Sequence, residues 1–233
     1  MVEDTKMTDA EAKPKEEEAK EEEETPQAPP LQAAGVRLER LLSDKVSYTN
    51  PAKVVRRWLT TSSGAAGTAT LADIGQAAQT LLRPTCPEHL SKYAAAAMET
   101  NENQATEKTK PLLEAALPFE AWLVSLAVRC LYKDGQVQAA FALAQQGMDK
   151  VTARLQQDIV RSTSTALYPL LARLVRWRAL LVEQHLPQRA AVLRTQMAQA
   201  YNMACLRRDA DTQATLLNCM LRDLLHSSQS ESW

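Results

Sequence analysis

Residues 207–225, which read RRDADTQATLLNCMLRDLL, carry the clearest helical pattern in the chain. Asp209 or Asp211 can serve as the N-cap, because a carboxylate accepts backbone N–H groups at the positive end of the helix dipole. At about 100° per residue, the large apolar side chains fall within one half of the helix circumference. A face this broad is typical of a helix that packs against two neighbours rather than along a single coiled-coil seam.

Five apolar side chains of this helix form what we call the packing stripe: Leu216, Leu217, Met220, Leu221 and Leu224. Only HSSQSESW follows Leu225, so we expect the stripe to be partly uncovered and the chain end to be a truncated or processed one. Burying one such side chain contributes about 1.5–3 kcal/mol, against a total stability of roughly 5–15 kcal/mol. We therefore expect the isolated chain to self-associate or to be poorly soluble.

Helical patterns also fill most of the chain upstream of this stretch. Turn-plus-helix units of roughly twenty residues recur from Pro111 onward, for example up to the turn signal Asp134-Gly135. No strand pattern competes with them, and the 233 residues include only six glycines. The prediction is an all-α, right-handed helical-repeat solenoid of tetratricopeptide-like antiparallel hairpins, although no strict repeat of about 34 residues holds.

Charge and composition divide the chain into segments. The net charge of −1 hides an asymmetry, because residues 1–30 hold eleven acidic side chains and four lysines. Such a polar segment buries too little apolar surface to offset the entropy of ordering. The predicted segments are a disordered acidic tail (1–33), an N-terminal helical region (34–100), a polar linker (101–110), the helical-repeat solenoid (111–226) and a disordered C-terminal end (227–233).

Cysteine usage and hydropathy point to the cytosol or the nucleus. The four cysteines (Cys86, Cys130, Cys205 and Cys219) have no paired spacing, so we interpret them as reduced thiols, the last three as small apolar residues on or beside apolar helix faces. The first residues, MVEDTKMTDAEAK, are too acidic for a secretory signal or a transit peptide. The longest apolar stretch, residues 166–182, contains three arginines and a proline, so we predict no membrane contact.

No pattern in the sequence indicates a reaction centre. CPEH at 86–89 places a thiol and an imidazole at ligand spacing, but no second pair completes a zinc site. Glycine-rich phosphate loops, nucleophile elbows and dinucleotide fingerprints are missing from the sequence. We therefore predict no catalytic residue, no metal, no cofactor and no small-molecule substrate.

Arginine is concentrated in the C-terminal half, with nine between Arg154 and Arg208. We predict protein-partner contacts for six arginines: Arg173, Arg176, Arg178, Arg207, Arg208 and Arg222. Guanidinium groups pair well with acidic protein surfaces. Nucleic acid is a less favoured alternative, because the nearby rings of Tyr168, Trp177 and Tyr201 lie in apolar helical patterns and are predicted to be core.

The segment VLRTQMAQAYNMACLRRDADTQATLLNCMLRDLLH, residues 192–226, resembles the 26S proteasome non-ATPase regulatory subunit 3 family. Weaker similarity extends back through FEAWLVSLAVRCLYKDGQVQAAFALAQQ and PAKVVRRWLTTSS. Residues 160–177, VRSTSTALYPLLARLVRW, depart from the family's pattern, and the family's winged-helix PCI module has no counterpart here. The matching residues of the most specific part are Leu206, Arg207, Arg208, Asp209, Ala210, Asp211, Gln213, Ala214, Thr215, Leu216, Leu217, Asn218, Leu221, Arg222 and Leu225.

This resemblance implies a function as well as a fold. It implies a non-catalytic structural subunit of the lid of the proteasome regulatory particle, which contacts other lid subunits in support of ubiquitin-dependent degradation. It also implies a location in the cytoplasm and the nucleus. The alternatives are a free-standing helical-repeat adaptor that binds an acidic protein, a nucleic-acid-binding repeat protein and, least favoured, an enzyme.

Overall fold

The computed structural model describes residues 29–44, 50–83, 86–95, 111–157 and 162–230, and these residues form ten α-helices and no strand. Most of the predicted acidic tail and all of the predicted linker 101–110 lie outside the described residues. Short 3₁₀ turns at Ser162–Leu167 and Pro187–Arg189 precede α8 and α9. The helices are α1 (Pro30–Ser43), α2 (Pro51–Thr61), α3 (Ser63–Thr68), α4 (Leu71–Leu81), α5 (Glu88–Ala95), α6 (Ala116–Lys133), α7 (Val137–Gln157), α8 (Tyr168–His185), α9 (Ala190–Leu206) and α10 (Ala210–Ser230).

Local sequence signals start and stop several of these helices. Asn50 caps α2, since its Oδ1 accepts the backbone N–H of Lys53 at 3.0 Å, and Pro51 occupies the first turn. Thr70 and Asp73 form a reciprocal capping box at the start of α4. Gly135 has φ +74°, a conformation that glycine adopts at little cost, and it turns the chain from α6 into α7.

The helices α6–α10 alternate between two layers. Helix α8 packs against α6 and α10 within its own layer and against α7 and α9 in the other. Small residues permit this approach, and a Cβ added at Gly147 of α7 would lie 2.8 Å from Cγ1 of Val124 in α6. Each helix hairpin thus buries its apolar face against the next one, as in helical-repeat proteins.

The N-terminal helices share a core with this array. Helix α6 contacts α1 and α4, and α2 contacts α8. The rings of Trp58 in α2 and Trp122 in α6 meet edge to face at 4.8 Å between centroids, and both are buried in one continuous hydrophobic cluster. The predicted segments 34–100 and 111–226 therefore do not have separate cores.

Two predicted boundaries are wrong. Helix α1 begins at Pro30, inside the segment predicted as tail, because Leu31 packs into the core and a proline suits the first helical position. Helix α10 continues to Ser230, four residues beyond the predicted end at 226. Residues 227–230 are Ser and Gln, which add no apolar position to the helical pattern. Hydrophobic periodicity therefore predicts an end of the helix that is too early.

The fold class is confirmed as an all-α helical-repeat array. Among the described helices, none combines the length and the apolar character that crossing a membrane requires.

Candidate partner-binding groove

A groove with a volume of about 740 Å³ runs between α8 and α10. Leu59 of α2 and Leu193 of α9 also contribute to its wall. It brings together three of the six arginines predicted to contact partners: Arg173, Arg176 and Arg222. The groove residues of α8 lie along one side of the helix, since Pro169, Arg173, Arg176, Leu180 and Glu183 follow one another at intervals of three or four residues.

One half of the groove is basic, and no carboxylate among the described residues pairs with its arginines. Arg173 is half-buried and Arg176 is exposed, and neither forms an ion pair within the described part of the chain. Burial lowers the pKa of the Arg173 guanidinium, and the nearby charges of Arg129 and Arg176 lower it further. Arg129 donates to the backbone carbonyl of Ala66. The electrostatic potential here favours an anionic group.

The other half of the groove is neutralised within the chain. Glu183 of α8 accepts hydrogen bonds from Arg222 Nη2 at 2.9 and 3.0 Å, and its Oε1 lies 2.7 Å from His226 Nε2. Asp223 pairs with Arg194 of α9. These ion pairs connect α10 to α8 and α9, so Arg222 contributes to the packing of α10 as well as to the groove surface.

The ring of Trp177 adds an aromatic surface to the groove. It is half-buried, packs 6.0 Å from the ring of Tyr132 and lines the groove beside the basic half. The prediction that the three rings are core is right for Tyr168, which is buried, whereas Trp177 and Tyr201 are only half-buried. Residues 173, 176 and 177 share one helix face by spacing, and this spacing is the signal in the sequence that indicates the grouping.

The prediction of a partner contact is wrong for Arg178. Its side chain is only 1% exposed, because it points away from the groove into the contact between α7, α8 and α9. The guanidinium carbon stacks 4.6 Å from the ring centroid of Phe141, and Nη1 donates to the side chain of Gln196. Burial lowers the pKa of Arg178 to about 10. This arginine stabilises the packing of three helices.

Arg207 and Arg208 lie in the turn between α9 and α10, away from the groove. Arg208 is exposed and has φ 55°, the left-handed conformation that a tight turn requires. The side chain of Arg207 is half-buried and lies close enough to Tyr168 for its charge to oppose the rise that burial causes in the pKa of Tyr168. Both remain predictions as partner contacts.

Asp209, one of the two predicted N-caps, precedes the first residue of α10. Its Oδ2 accepts a hydrogen bond from Thr212 Oγ1 at 3.1 Å, and its other oxygen pairs with Arg56 of α2. Arg56 also reaches Asp211 at 3.0 Å. The start of α10 is thus held by a helix about 150 residues earlier in the chain.

The packing stripe is partly exposed in the structure. Leu217, Leu221 and Leu224 are 41%, 56% and 59% exposed, and Met220 is half-buried. The prediction is wrong for Leu216, which is fully buried in the core. The face of α10 that packs inward is rotated from the centre of the stripe and carries Thr212, Leu216 and Cys219. Ion pairs along α10 help to fix this rotation.

The four cysteines also differ in burial. Cys219 is buried and Cys130 is half-buried, so the interpretation as small apolar residues fits these two. It is wrong for Cys205, which is exposed. Burial raises the pKa values of the Cys86, Cys130 and Cys219 thiols, which disfavours the reactive thiolate.

A buried glutamate, Glu120, lies in the core beside the CPEH stretch at residues 86–89. Glu120 of α6 binds Lys150 Nζ at 2.7 and 2.8 Å, and its Oε1 lies 3.6 Å from His89 Nε2. Burial raises the pKa of Glu120 and lowers that of His89. Within the described ranges, no group of three or more His, Cys, Asp or Glu side chains is arranged to hold a metal ion.

Comparison with known proteins identifies the repeat family. A family model described as PSMD3-like, N-terminal TPR repeats, matches residues 42–232. A comparison with curated proteins finds no match, and neither does a comparison with solved structures. The match spans most of the chain and confirms the resemblance first seen in residues 192–226. The chain therefore belongs to the PSMD3-like family of proteasome regulatory subunits, in the region that carries the N-terminal TPR repeats.

Proposed function

We propose that this protein is a non-catalytic structural subunit of the lid of the proteasome regulatory particle. In this function it positions neighbouring lid subunits through protein–protein contacts and so supports ubiquitin-dependent degradation in the cytoplasm and nucleus. The family match over residues 42–232 is the observation that supports this proposal most strongly. The proposal involves no cofactor, nucleic acid, membrane or small-molecule substrate.

The basic half of the groove supports a role in protein recognition. Arg173 and Arg176 offer two guanidinium groups beside the aromatic surface of Trp177, and no ion pair within the described residues neutralises them. Arginine and tryptophan are enriched at protein interfaces, where planar charged and aromatic groups bind at low entropic cost. We assign this half of the groove as the contact for an acidic surface of a neighbouring lid subunit.

A co-sedimentation experiment tests the function and the groove together. We expect a tagged full-length chain to migrate with proteasome particles in a lysate gradient. Replacing Arg173→Glu and Arg176→Glu should lower the particle-bound fraction at least about tenfold, because like charges then meet across the contact. The control is Arg37→Glu with Arg40→Glu, an exposed arginine pair of the same spacing on α1.

The outcomes separate two functions. A chain that migrates only as a small free species contradicts the lid proposal and favours the second candidate, a free-standing adaptor that binds an acidic protein in the same groove. The unneutralised arginine pair is the observation that favours this second candidate. If the groove and control variants lose the particle equally, the lid proposal survives and the groove assignment fails.

A further inference from the structure

Arg129 of α6 extends the basic half of the groove towards α3. Its guanidinium donates to the backbone carbonyl of Ala66, and Nη2 lies 3.4 Å from the carbonyl oxygen of Gly67. Both acceptors are neutral, so they leave the positive charge of Arg129 uncompensated. Arg129 is near enough to Arg173 for the two charges to interact, and Arg173 lies one helical turn from Arg176. We call these three side chains, Arg129, Arg173 and Arg176, the basic cluster.

The basic cluster lies on the side of the helical array and not at its end. Within its layer, α8 has α6 on one side and α10 on the other. Among the described residues, no carboxylate forms an ion pair with any of the three guanidinium groups. Like charges that are held together repel one another, and a bound anionic group relieves this repulsion.

The chain itself contains a stretch of complementary charge, residues 16–24, which we call the acidic segment. It holds seven glutamates and one lysine, whereas residues 31–233 have a net positive charge. Adjacent guanidinium groups bind carboxylates through paired, charge-assisted hydrogen bonds. The acidic segment lies outside the described residues, so its charge and its position in the chain identify it as an occupant of the basic cluster.

The described chain starts close to the basic cluster. Pro29 lines a small cavity together with Ala65 and Ala69, which flank the two residues whose carbonyl groups contact Arg129. Four residues separate Glu24 from Pro29, and an extended chain spans at most about 3.6 Å per residue. Glu24 is therefore at most about 18 Å from Pro29, and the rest of the acidic segment has a longer reach.

We propose that the acidic segment binds in cis to the basic cluster and covers the basic half of the groove until an acidic partner surface displaces it. Binding within one chain avoids the entropic cost of bringing two molecules together, which favours the contact. Exposed charge pairs are individually weak, so a partner can displace the segment. The contact within the chain is independent of lid membership, whereas its role as a regulator of partner binding rests on the function proposed above.

Binding of a fluorescein-labelled polyglutamate peptide to the purified full chain tests this competition without any lid subunit. The segment variant combines Glu21→Gln, Glu22→Gln, Glu23→Gln and Glu24→Gln. Fluorescence anisotropy should give it a Kd at least about fivefold lower than that of the wild type, because the competing carboxylates are gone. The control variant combines Glu3→Gln, Asp4→Asn, Asp9→Asn and Glu11→Gln. It changes the net charge by the same amount, and its Kd should fall by less than about twofold.

Adding Arg173→Glu and Arg176→Glu locates the competition. In that background the segment substitutions should no longer lower the Kd, because the site that they uncover has lost its charge. The proposal fails if the segment variant binds the peptide no better than the wild type, if the control variant gains as much, or if the gain persists in this background. These results leave lid membership untouched, and a chain that does not migrate with proteasome particles leaves the contact within the chain intact.

Carbodiimide cross-linking tests the position of the acidic segment directly. Arg176→Lys supplies an amine that the reagent joins to a neighbouring glutamate, and mass spectrometry of the monomeric fraction identifies the linked residues. The yield to residues 21–24 should be at least about fivefold higher than for Arg37→Lys, an exposed position that is much closer to the segment along the chain. An equal or higher yield at position 37 contradicts the proposal, because chain proximity alone then explains the cross-links. Circular dichroism of each variant verifies that the fold is retained.

Discussion

Helices α6 and α10 differ both in sequence and in surroundings: α6 is apolar around most of its circumference, whereas α10 is apolar on only about half of it. From Pro118 to Val128 every side chain of α6 is buried. In α10, the buried side chains between Ala210 and His226 are Thr212, Leu216 and Cys219. The two helices differ in their neighbours: α6 contacts α1, α4, α7 and α8, whereas α10 packs against α8 and α9.

This difference shows that burial in a helical-repeat protein depends on position in the array as well as on hydrophobicity. Each repeat covers only its immediate neighbour. Helix α6 lies under both the N-terminal helices and the next hairpin, and even the carboxylate of Glu120 is buried there. The leucines of α10 lie on the side that no described helix covers.

The largest expected effect compares a core ring of α6 with an outer leucine of α10. Trp122→Ala should lower the free energy of unfolding by about 3–5 kcal/mol, because the ring is fully buried against Trp58 and Phe119. Leu221→Ala should change it by less than about 0.5 kcal/mol. Urea denaturation measures both, at protein concentrations below the point where copies associate. Equal losses would contradict the contrast between the two helices.

An intermediate effect is expected at the helix starts. The carboxylate of Glu39 in α1 accepts the backbone N–H groups of Leu113, Glu114 and Ala115, at 3.3, 3.2 and 2.8 Å, just before α6. Glu39→Ala should cost about 1–2 kcal/mol in urea denaturation, because it leaves donors at the start of α6 unpaired.

The matching substitution at the start of α10 is Asp211→Ala. This carboxylate is largely exposed and pairs with Arg56, so we expect a loss of at most about 1 kcal/mol. A larger loss for Asp211→Ala than for Glu39→Ala would mean that α10 depends on its start more than α6 does. Exposed Glu114→Ala serves as the control for a charge change near α6.

The smallest expected effect is a pH dependence of folding stability at the contact between His89 of α5 and Glu120 of α6. Burial lowers the pKa of His89 in the folded protein below its ordinary value of 6.5, and the nearby charges of Lys150 and Lys92 lower it further. The unfolded chain therefore takes up the proton first, and the free energy of unfolding falls as pH drops below about 6.5. His89→Gln should reduce the fall measured between about pH 7.5 and about pH 5.5.

Glu120, the acidic group that faces His89, acts in the opposite direction. Burial raises its pKa, so the folded protein takes up this proton first and regains stability as pH falls through the raised value towards 4.5. Keeping the comparison above about pH 5.5 limits this contribution. An unchanged pH dependence in His89→Gln would show that this histidine does not affect folding stability.

Local sequence was sufficient for the helices and for part of the site. The cap at Asn50, the turn at Asp134-Gly135 and the helical-repeat class follow from short-range rules. The grouping of Arg173 and Arg176 on one face follows from helical spacing. Arg178 could have been excluded by the same spacing, because it lies about 140° from Arg173 around α8.

The remaining features depend on contacts between residues that are distant in the chain. Leu59 reaches the groove wall, Glu39 caps α6 and Arg56 holds the start of α10, and no local pattern indicates any of these pairings. The rotation of α10, which buries Leu216 and leaves Leu217 exposed, is likewise set by its packing on α8 and α9. Periodicity specifies that a helix has an apolar face, whereas the neighbouring helices determine which part of that face is covered, because burial is a property of the packed array.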